Sequence, residues 1–216
     1  MKPKRLQSLS ASELTTLEEK TISHYEQKAE DFWEGTKDHD VSQNREALLR
    51  HIQSKSPYRI LDFGCGPGRD LAAFLSLGHE AVGLDGCEEF VRMARSHTGC
   101  EVFHQSFLHL DLPSANFDGV FANASIFHVP TQELPRVLLE IRDALKPGGV
   151  LFCSNPRGPD LEQFTPDRYG AFLCRSTWNE YLRQANFVEL EHYFRPPGKP
   201  RDEQPWLATV WRKPAN

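Results

Sequence analysis

The chain has 216 residues and a formal net charge of −5, with 39% hydrophobic and 25% charged residues. That length holds one domain of ordinary size plus a modest extension, and the acidic balance argues against the basic face of a dedicated nucleic-acid binder. No run approaches the roughly 20 apolar residues of a membrane span, which argues against a membrane partner. Lys2, Lys4 and Arg5 are followed by no apolar segment, so no secretory signal is expected. The five cysteines (Cys65, Cys87, Cys100, Cys153, Cys174) are odd in number and contain no Cys-x-x-Cys pair, which points to reduced thiols in a cytoplasmic setting.

The first predicted element is a helix over residues 10–34. Ser10 and Glu13 have capping-box spacing, and Leu14, Leu17, Ile22, Tyr25, Ala29 and Phe32 recur at helical intervals up to Gly35. A polar loop over 36–40 leads to a second helix from about Val41 to Lys55, with Asp40 and Gln43 again at capping spacing and Ala47, Leu48 and Ile52 on its apolar face. Ser56-Pro57 marks a boundary, which divides the chain into a helical extension or lid, 1–56, and a main domain, 57–216.

From residue 58 strands and helices alternate. Strands are expected at 58–63, 80–85, 101–106, 117–123 and 149–154, and helices at 69–77, 87–97 and 131–145. Continuous apolar runs such as Val120-Phe121-Ala122 and Val150-Leu151-Phe152 suit a parallel sheet covered on both faces. Lys146-Pro147-Gly148-Gly149 stops the third of these helices. A longer loop, a helix over about 176–185 and two β-like segments, 187–194 and 206–211, complete the chain. The Pro-rich link between the last two is short for a helical crossover and fits an antiparallel hairpin.

The most informative run is Asp62-Phe63-Gly64-Cys65-Gly66-Pro67-Gly68-Arg69, where a buried strand breaks into a Gly-x-Gly-x-Gly turn and opens a helix. Glycines let the backbone approach a ligand closely, and the helix presents free N–H groups to it. Such a turn suits a nucleoside-bearing cofactor. Arg69 stands where the dinucleotide fingerprint wants a small residue, and the terminal hairpin sits poorly with a simple dinucleotide fold. With Ala81-Val82-Gly83-Leu84-Asp85 after it and the motif from Phe117 to His128 further on, the chain resembles the class I S-adenosylmethionine-dependent methyltransferases over residues 58 to about 212.

That resemblance implies an α/β fold: a Rossmann-like, seven-stranded, mostly parallel sheet ending in a C-terminal antiparallel β-hairpin. It implies S-adenosyl-L-methionine as cofactor, with Gly64, Cys65, Gly66 and Gly68 passing beneath its methionine part. Asp62 either orients the cofactor's amino group or braces the turn. Asp85 either accepts the ribose hydroxyls or caps the next helix, with Gly86 on the same edge and Cys87 a small filler. Ser106 departs from the acidic residue of related sequences and is a weaker acceptor for the adenine amino group; Phe107 is adenine wall or core.

Asn123 ends the strand that faces the sulfonium. His128 is either a base toward the methyl acceptor or a residue that shapes the pocket. Tyr25 and Trp33 either contact substrate from a lid or only pack the extension. Arg157, Arg168 and Tyr169 either clamp an anionic acceptor or belong to a solvated loop. The spacing of His104, His109 and Asp111 matches no standard metal-ligand set, so no metal is expected. The implied activity is in-line methyl transfer to a small polar metabolite, with the accepting atom and the oligomeric state left open. A cofactor-binding module without turnover, a macromolecular methyltransferase and a nicotinamide-dependent oxidoreductase are the competing readings.

Overall fold

Strand residues that alternate between two apolar faces set the architecture. In β4 (Phe117–Asn123), Val120 and Ala122 enter one core and Phe121 the other. In β5 (Leu145–Pro156), Leu151 and Cys153 are likewise separated from Val150 and Phe152. A period of two on a sheet buried on both sides requires such a division. The computed structural model describes residues 8–165 and 167–215; Lys2, Lys4 and Arg5 lie outside the described residues.

With β1 (Arg59–Phe63), β2 (Glu80–Asp85), β3 (Val102–His104), β8 (Val188–Arg195) and β9 (Trp206–Arg212), these strands form one seven-stranded sheet in the order β3-β2-β1-β4-β5-β9-β8. The first five run parallel, and β9 pairs antiparallel with both β5 and β8. Helices α3 (Ser42–Leu49), α4 (Arg69–Ser76) and α5 (Glu88–Thr98) send Leu48, Leu71, Phe74 and Ala94 into one core. On the other face, α6 (Leu134–Ala144) and α7 (Arg175–Gln184) supply Leu138, Ile141 and Trp178. The expected fold, terminal hairpin included, is the observed one.

The N-terminal segment differs from the single helix expected over 10–34. The Ser10–Glu13 capping box forms, but the helix breaks at Gln27–Lys28 into α1 (Ala11–Glu26) and α2 (Ala29–Thr36), with Gly35 inside the last turn. In an unbroken helix Tyr25 and Phe32 would stand about 10 Å apart along the axis. The break brings their rings to 5.7 Å and both onto Phe90 of α5. Burial of an aromatic cluster outweighs two interrupted helical turns.

Helix α3 stops at Leu49, short of the expected Lys55. Arg50 and His51 turn out to bind Glu191 of β8, and Arg212 takes the His51 carbonyl. Asp40 bonds the Ser42 N–H at 2.9 Å and forms no box with Gln43. The loop expected after β5 contains a two-stranded antiparallel sheet, β6 (Leu161–Phe164) and β7 (Tyr169–Phe172).

Ala47 and Leu48 are fully buried against the same sheet face as Ile60, Phe121 and Phe152. A Leu48→Ala substitution is therefore expected to destabilise the whole domain by about 2–5 kcal/mol in urea denaturation. A loss below about 1 kcal/mol would mean that α3 docks only loosely.

Candidate active site

At the carboxyl ends of β1, β2 and β4, the parallel sheet leaves a crevice that α1, α2 and the β6–β7 insertion cover. The cavity measures about 760 Å³, within the range of small-molecule sites. The loops that leave these strand ends diverge there, and polar side chains from different segments converge on the crevice.

The glycine turn is held from below by its neighbours. Gly64 has φ +78°, and a Cβ there would come within 2.4 Å of the Ser125 Cβ, so no side chain fits. Gly64 and Cys65 donate to the Leu84 carbonyl at 2.8 and 3.0 Å. Asp85 completes the brace: Oδ2 accepts the Gly66 N–H at 2.9 Å and Oδ1 the Cys87 N–H at 3.0 Å. One carboxylate thus clamps the turn and starts α5. Burial raises its pKa to about 6, opposed by the backbone N–H groups of Cys87 and Gly66.

Asp62 does not brace the turn through its second oxygen. The residue is 3% exposed, lines the cavity, and its Oδ2 has no hydrogen-bond partner among the described residues. Burial and the neighbouring Asp70 carboxylate push its pKa well up, against the pull of Arg69. Asp70 itself is paired with Arg45 and Arg69. A buried carboxylate with one unpartnered oxygen, on a residue that lines the cavity, suits a cationic or N–H-bearing ligand.

Further round the wall, Ser106 accepts the Leu108 N–H at 2.9 Å and donates to Glu18 of α1. Glu18 is a cavity residue absent from the sequence-derived set, and burial raises its pKa. Its signal was present: Glu18 stands seven residues before Tyr25, on the same helix face. Phe107 lines the cavity while stacking on Phe63 at 4.5 Å. Asn123 accepts from Asn44 Nδ2 at 2.8 Å, and Gly86 lies under Ile22. Cys65 and Cys87 also line the cavity, and burial holds both thiols above the ordinary range, Cys87 at about 12. They are protonated filler at neutral pH.

His128 ends a single 3₁₀ turn, Ile126–His128. Its Nδ1 lies 2.6 Å from the Tyr169 carbonyl and its Nε2 2.8 Å from the Tyr25 hydroxyl. Burial pushes its pKa down to about 4, so the ring is neutral at physiological pH. Arg168 donates to the Tyr25 hydroxyl at 3.1 Å. Trp33 lines the cavity and stacks on His97 at 4.6 Å.

Three expected site residues lie elsewhere. Gly68 faces α5, where a Cβ would stand 3.1 Å from the Ala94 Cα, so it serves helix packing. Arg157 donates to the carbonyls of Gln204 and Arg201 and tethers the link between β8 and β9. Tyr169 is fully buried, its hydroxyl donating to Glu162 at 2.5 Å; only its backbone carbonyl reaches the site, through His128. Among the described residues, no group of three or more His, Cys, Asp or Glu stands where it could hold a metal ion, and no helix is long and apolar enough to cross a membrane.

Comparison with known proteins places this geometry in context. Residues 60–149 match the family described as a methyltransferase domain. Trans-aconitate 2-methyltransferase of Azoarcus sp. (strain BH72) is 33% identical over 134 residues, which cover 59% of this chain and 52% of that protein. Ubiquinone biosynthesis O-methyltransferase of Roseobacter denitrificans is 25% identical over 203 residues, 82% of this chain and 81% of that one. The chain spans about half the length of the Azoarcus protein and 31% of a 24-methylenesterol C-methyltransferase 2 from Oryza sativa subsp. japonica that it also matches. Among solved structures, Burkholderia thailandensis 1,6-didemethyltoxoflavin-N1-methyltransferase, with bound 1,6-didemethyltoxoflavin and S-adenosylhomocysteine, superposes with a TM-score of 0.78 at 22% identity. The match covers 98% of this chain and 94% of that one, and it establishes likeness of fold.

Asp85 titrates near 6 in the folded chain against 3.8 for the free group. The folded state therefore binds more protons between those values, and the stability tied to Asp85 is present below about pH 4 and lost as pH rises through about 6. In urea denaturation of the ligand-free protein, the stability of wild type relative to Asp85→Asn is expected to fall from pH 4 to pH 7. A difference that stays flat would contradict the assignment.

Proposed function

We propose that this chain acts as a class I S-adenosylmethionine-dependent methyltransferase and moves a methyl group from S-adenosyl-L-methionine onto a small polar metabolite. The observation that carries the reading is Asp62, a buried residue that lines the cavity beside a glycine turn and whose Oδ2 has no partner among the described residues. It suits the ammonium of an amino-acid moiety. Asp85 keeps lone pairs beyond the two its backbone donors occupy, enough to accept ribose hydroxyls. Phe107, Ser106 and Glu18 supply a flat apolar wall and acceptors for a base.

When bound, the cofactor supplies an electrophilic methyl on a positively charged sulfur. The chain's own contribution is alignment and exclusion of water. Orientation of the reactants can account for several kcal/mol of the barrier. Helices α1 and α2, part of the proposed lid 1–56, put Leu17, Tyr25, Phe32 and Trp33 over the cavity and remove solvent from it. Asn123, braced by Asn44, and the neutral His128 stand on the cavity wall after β4. A cavity covered by the chain's own helices favours a metabolite over a macromolecule, as do the small molecules in the relatives' names. Five unpaired cysteines fit a cytoplasmic enzyme.

Calorimetry with S-adenosylhomocysteine is expected to show binding that Asp85→Ala weakens about 100-fold, as the loss of two hydrogen bonds to a charged group implies. Unchanged affinity would remove Asp85 from the cofactor site, and NAD is expected not to bind. Incubation with isotope-labelled S-adenosylmethionine and a metabolite extract is expected to yield a labelled small molecule. His128→Ala is expected to slow its formation by about 10²–10⁴; wild-type turnover in that variant would make His128 scaffold only.

A further inference from the structure

The hydrogen bonds around His128 have fixed directions. The Tyr169 carbonyl can only accept, so His128 Nδ1, 2.6 Å away, carries the ring proton. Nε2 then presents its lone pair, and the Tyr25 hydroxyl at 2.8 Å donates to it. Both ring nitrogens are occupied, and the imidazole has nothing left to offer a methyl acceptor directly. Arg168 Nη1, a donor only, bonds the same hydroxyl oxygen at 3.1 Å. The phenol has therefore committed its proton to His128 and one lone pair to Arg168. Its second lone pair is free, on a side chain that lines the cavity.

We propose that Tyr25 takes the proton of the methyl acceptor while passing its own to His128 Nε2, and that the accepting group is a hydroxyl. The proposal rests on the methyl-transfer reading above. The acceptor's oxygen forms its bond to the methyl carbon as the carbon–sulfur bond breaks and its electron pair leaves with sulfur. The acceptor O–H proton moves to the Tyr25 oxygen, and the Tyr25 proton moves to Nε2. The positive charge that began on sulfur ends on the imidazolium, which later releases its proton to water. Arg168 stabilises negative charge developing on the phenol oxygen during the relay.

The choice of a hydroxyl follows from the geometry of a relay that ends in the His128 Nε2 lone pair: it serves an acceptor that must lose a proton when it is methylated, and the weakness of that base fits the same choice. Burial, with Arg168 and His24 nearby, holds His128 at about 4. A phenolic hydroxyl starts with a pKa of about 10 and becomes a strongly acidic oxonium once methylated. The relay can thus take its proton only as the methyl arrives, so that proton transfer and methyl transfer drive each other. An amine instead attacks as its free base and ends as an ammonium with a pKa of about 10, stable at neutral pH, so it gives this relay no proton to take.

Nitrogen-15 NMR of the ligand-free protein is expected to show His128 protonated at Nδ1 and bare at Nε2. The opposite tautomer would overturn the relay, because the Tyr25 proton would then point into the cavity. With labelled S-adenosylmethionine and a metabolite extract, Tyr25→Phe is expected to slow product formation about 100-fold while its affinity for S-adenosylhomocysteine stays within a few fold. A rate within threefold of wild type would overturn the proposal. Arg168→Met, on an exposed segment outside the core, provides a second test with an expected loss of about tenfold; an unchanged rate would remove Arg168 from the relay. The labelled product is expected to carry its new methyl on oxygen, and a methylated amine would overturn the hydroxyl assignment. If wild type binds no S-adenosylhomocysteine and forms no product, the methyl-transfer reading itself fails, whatever the tautomer.

Discussion

The Asp85 carboxylate, clamped between the N–H groups of Gly66 and Cys87, is the contact on which the site depends. It ties the glycine turn after β1 to the end of β2 and to the first turn of α5. It adds to the bonds from Gly64 and Cys65 to the Leu84 carbonyl, which hold the start of the turn over the sheet. The clamp keeps a carboxylate inside the cavity wall, where its ionisation costs free energy, as the rise of its pKa to about 6 records. Asp62 adds a second buried carboxylate close by. Two such groups, one with an unpartnered oxygen, suit the proposed ligand, which bears positive charge and hydroxyl or N–H donors.

Around this fixed half of the site the chain assembles a second half from three remote segments. Tyr25 comes from α1, His128 from the turn after β4, and Arg168 from the β6–β7 insertion, and the Tyr25 hydroxyl joins the other two by hydrogen bonds to His128 Nε2 and from Arg168 Nη1. Each is held by something besides its neighbour. Tyr25 packs its ring against Phe32 and Phe90, and His128 is pinned by the Tyr169 carbonyl. Under the proposed methyl transfer the division has a chemical sense: the carboxyl ends of β1 and β2 supply carboxylates suited to a cofactor, and the more remote segments supply groups suited to an acceptor. A common fold gains its specificity through such additions.

The sheet and most of its helices could be read from the chain because burial on both faces leaves a mark on every strand. Val120-Phe121-Ala122 and Val150-Leu151-Phe152 are apolar throughout for that reason, and the glycine turn marks where β1 must end. The N-terminal helix was harder. Its apolar spacing continues through Gln27 and Lys28, and only the distant Phe90 makes a break there favourable. The β6–β7 pair was missed because its strands are four residues each and too brief to show a period.

Among the site residues, the sequence by itself determined the ones that a strand end or a glycine turn places: Asp62, Gly64, Gly66, Asp85 and Asn123 all border the cavity. Local geometry fixes such positions, so a linear pattern carries them. Only the tertiary structure decided that Gly68 packs on Ala94, that Arg157 tethers the link before β9, and that Tyr169 contributes a carbonyl and not its phenol. It also decided that Glu18 enters the cavity and that both nitrogens of His128 are already engaged. Apart from the packing of Gly68 on Ala94, those roles depend on hydrogen bonds that span 41 to 103 residues of chain, whose partners and directions are set by packing and leave no spacing in the sequence to read.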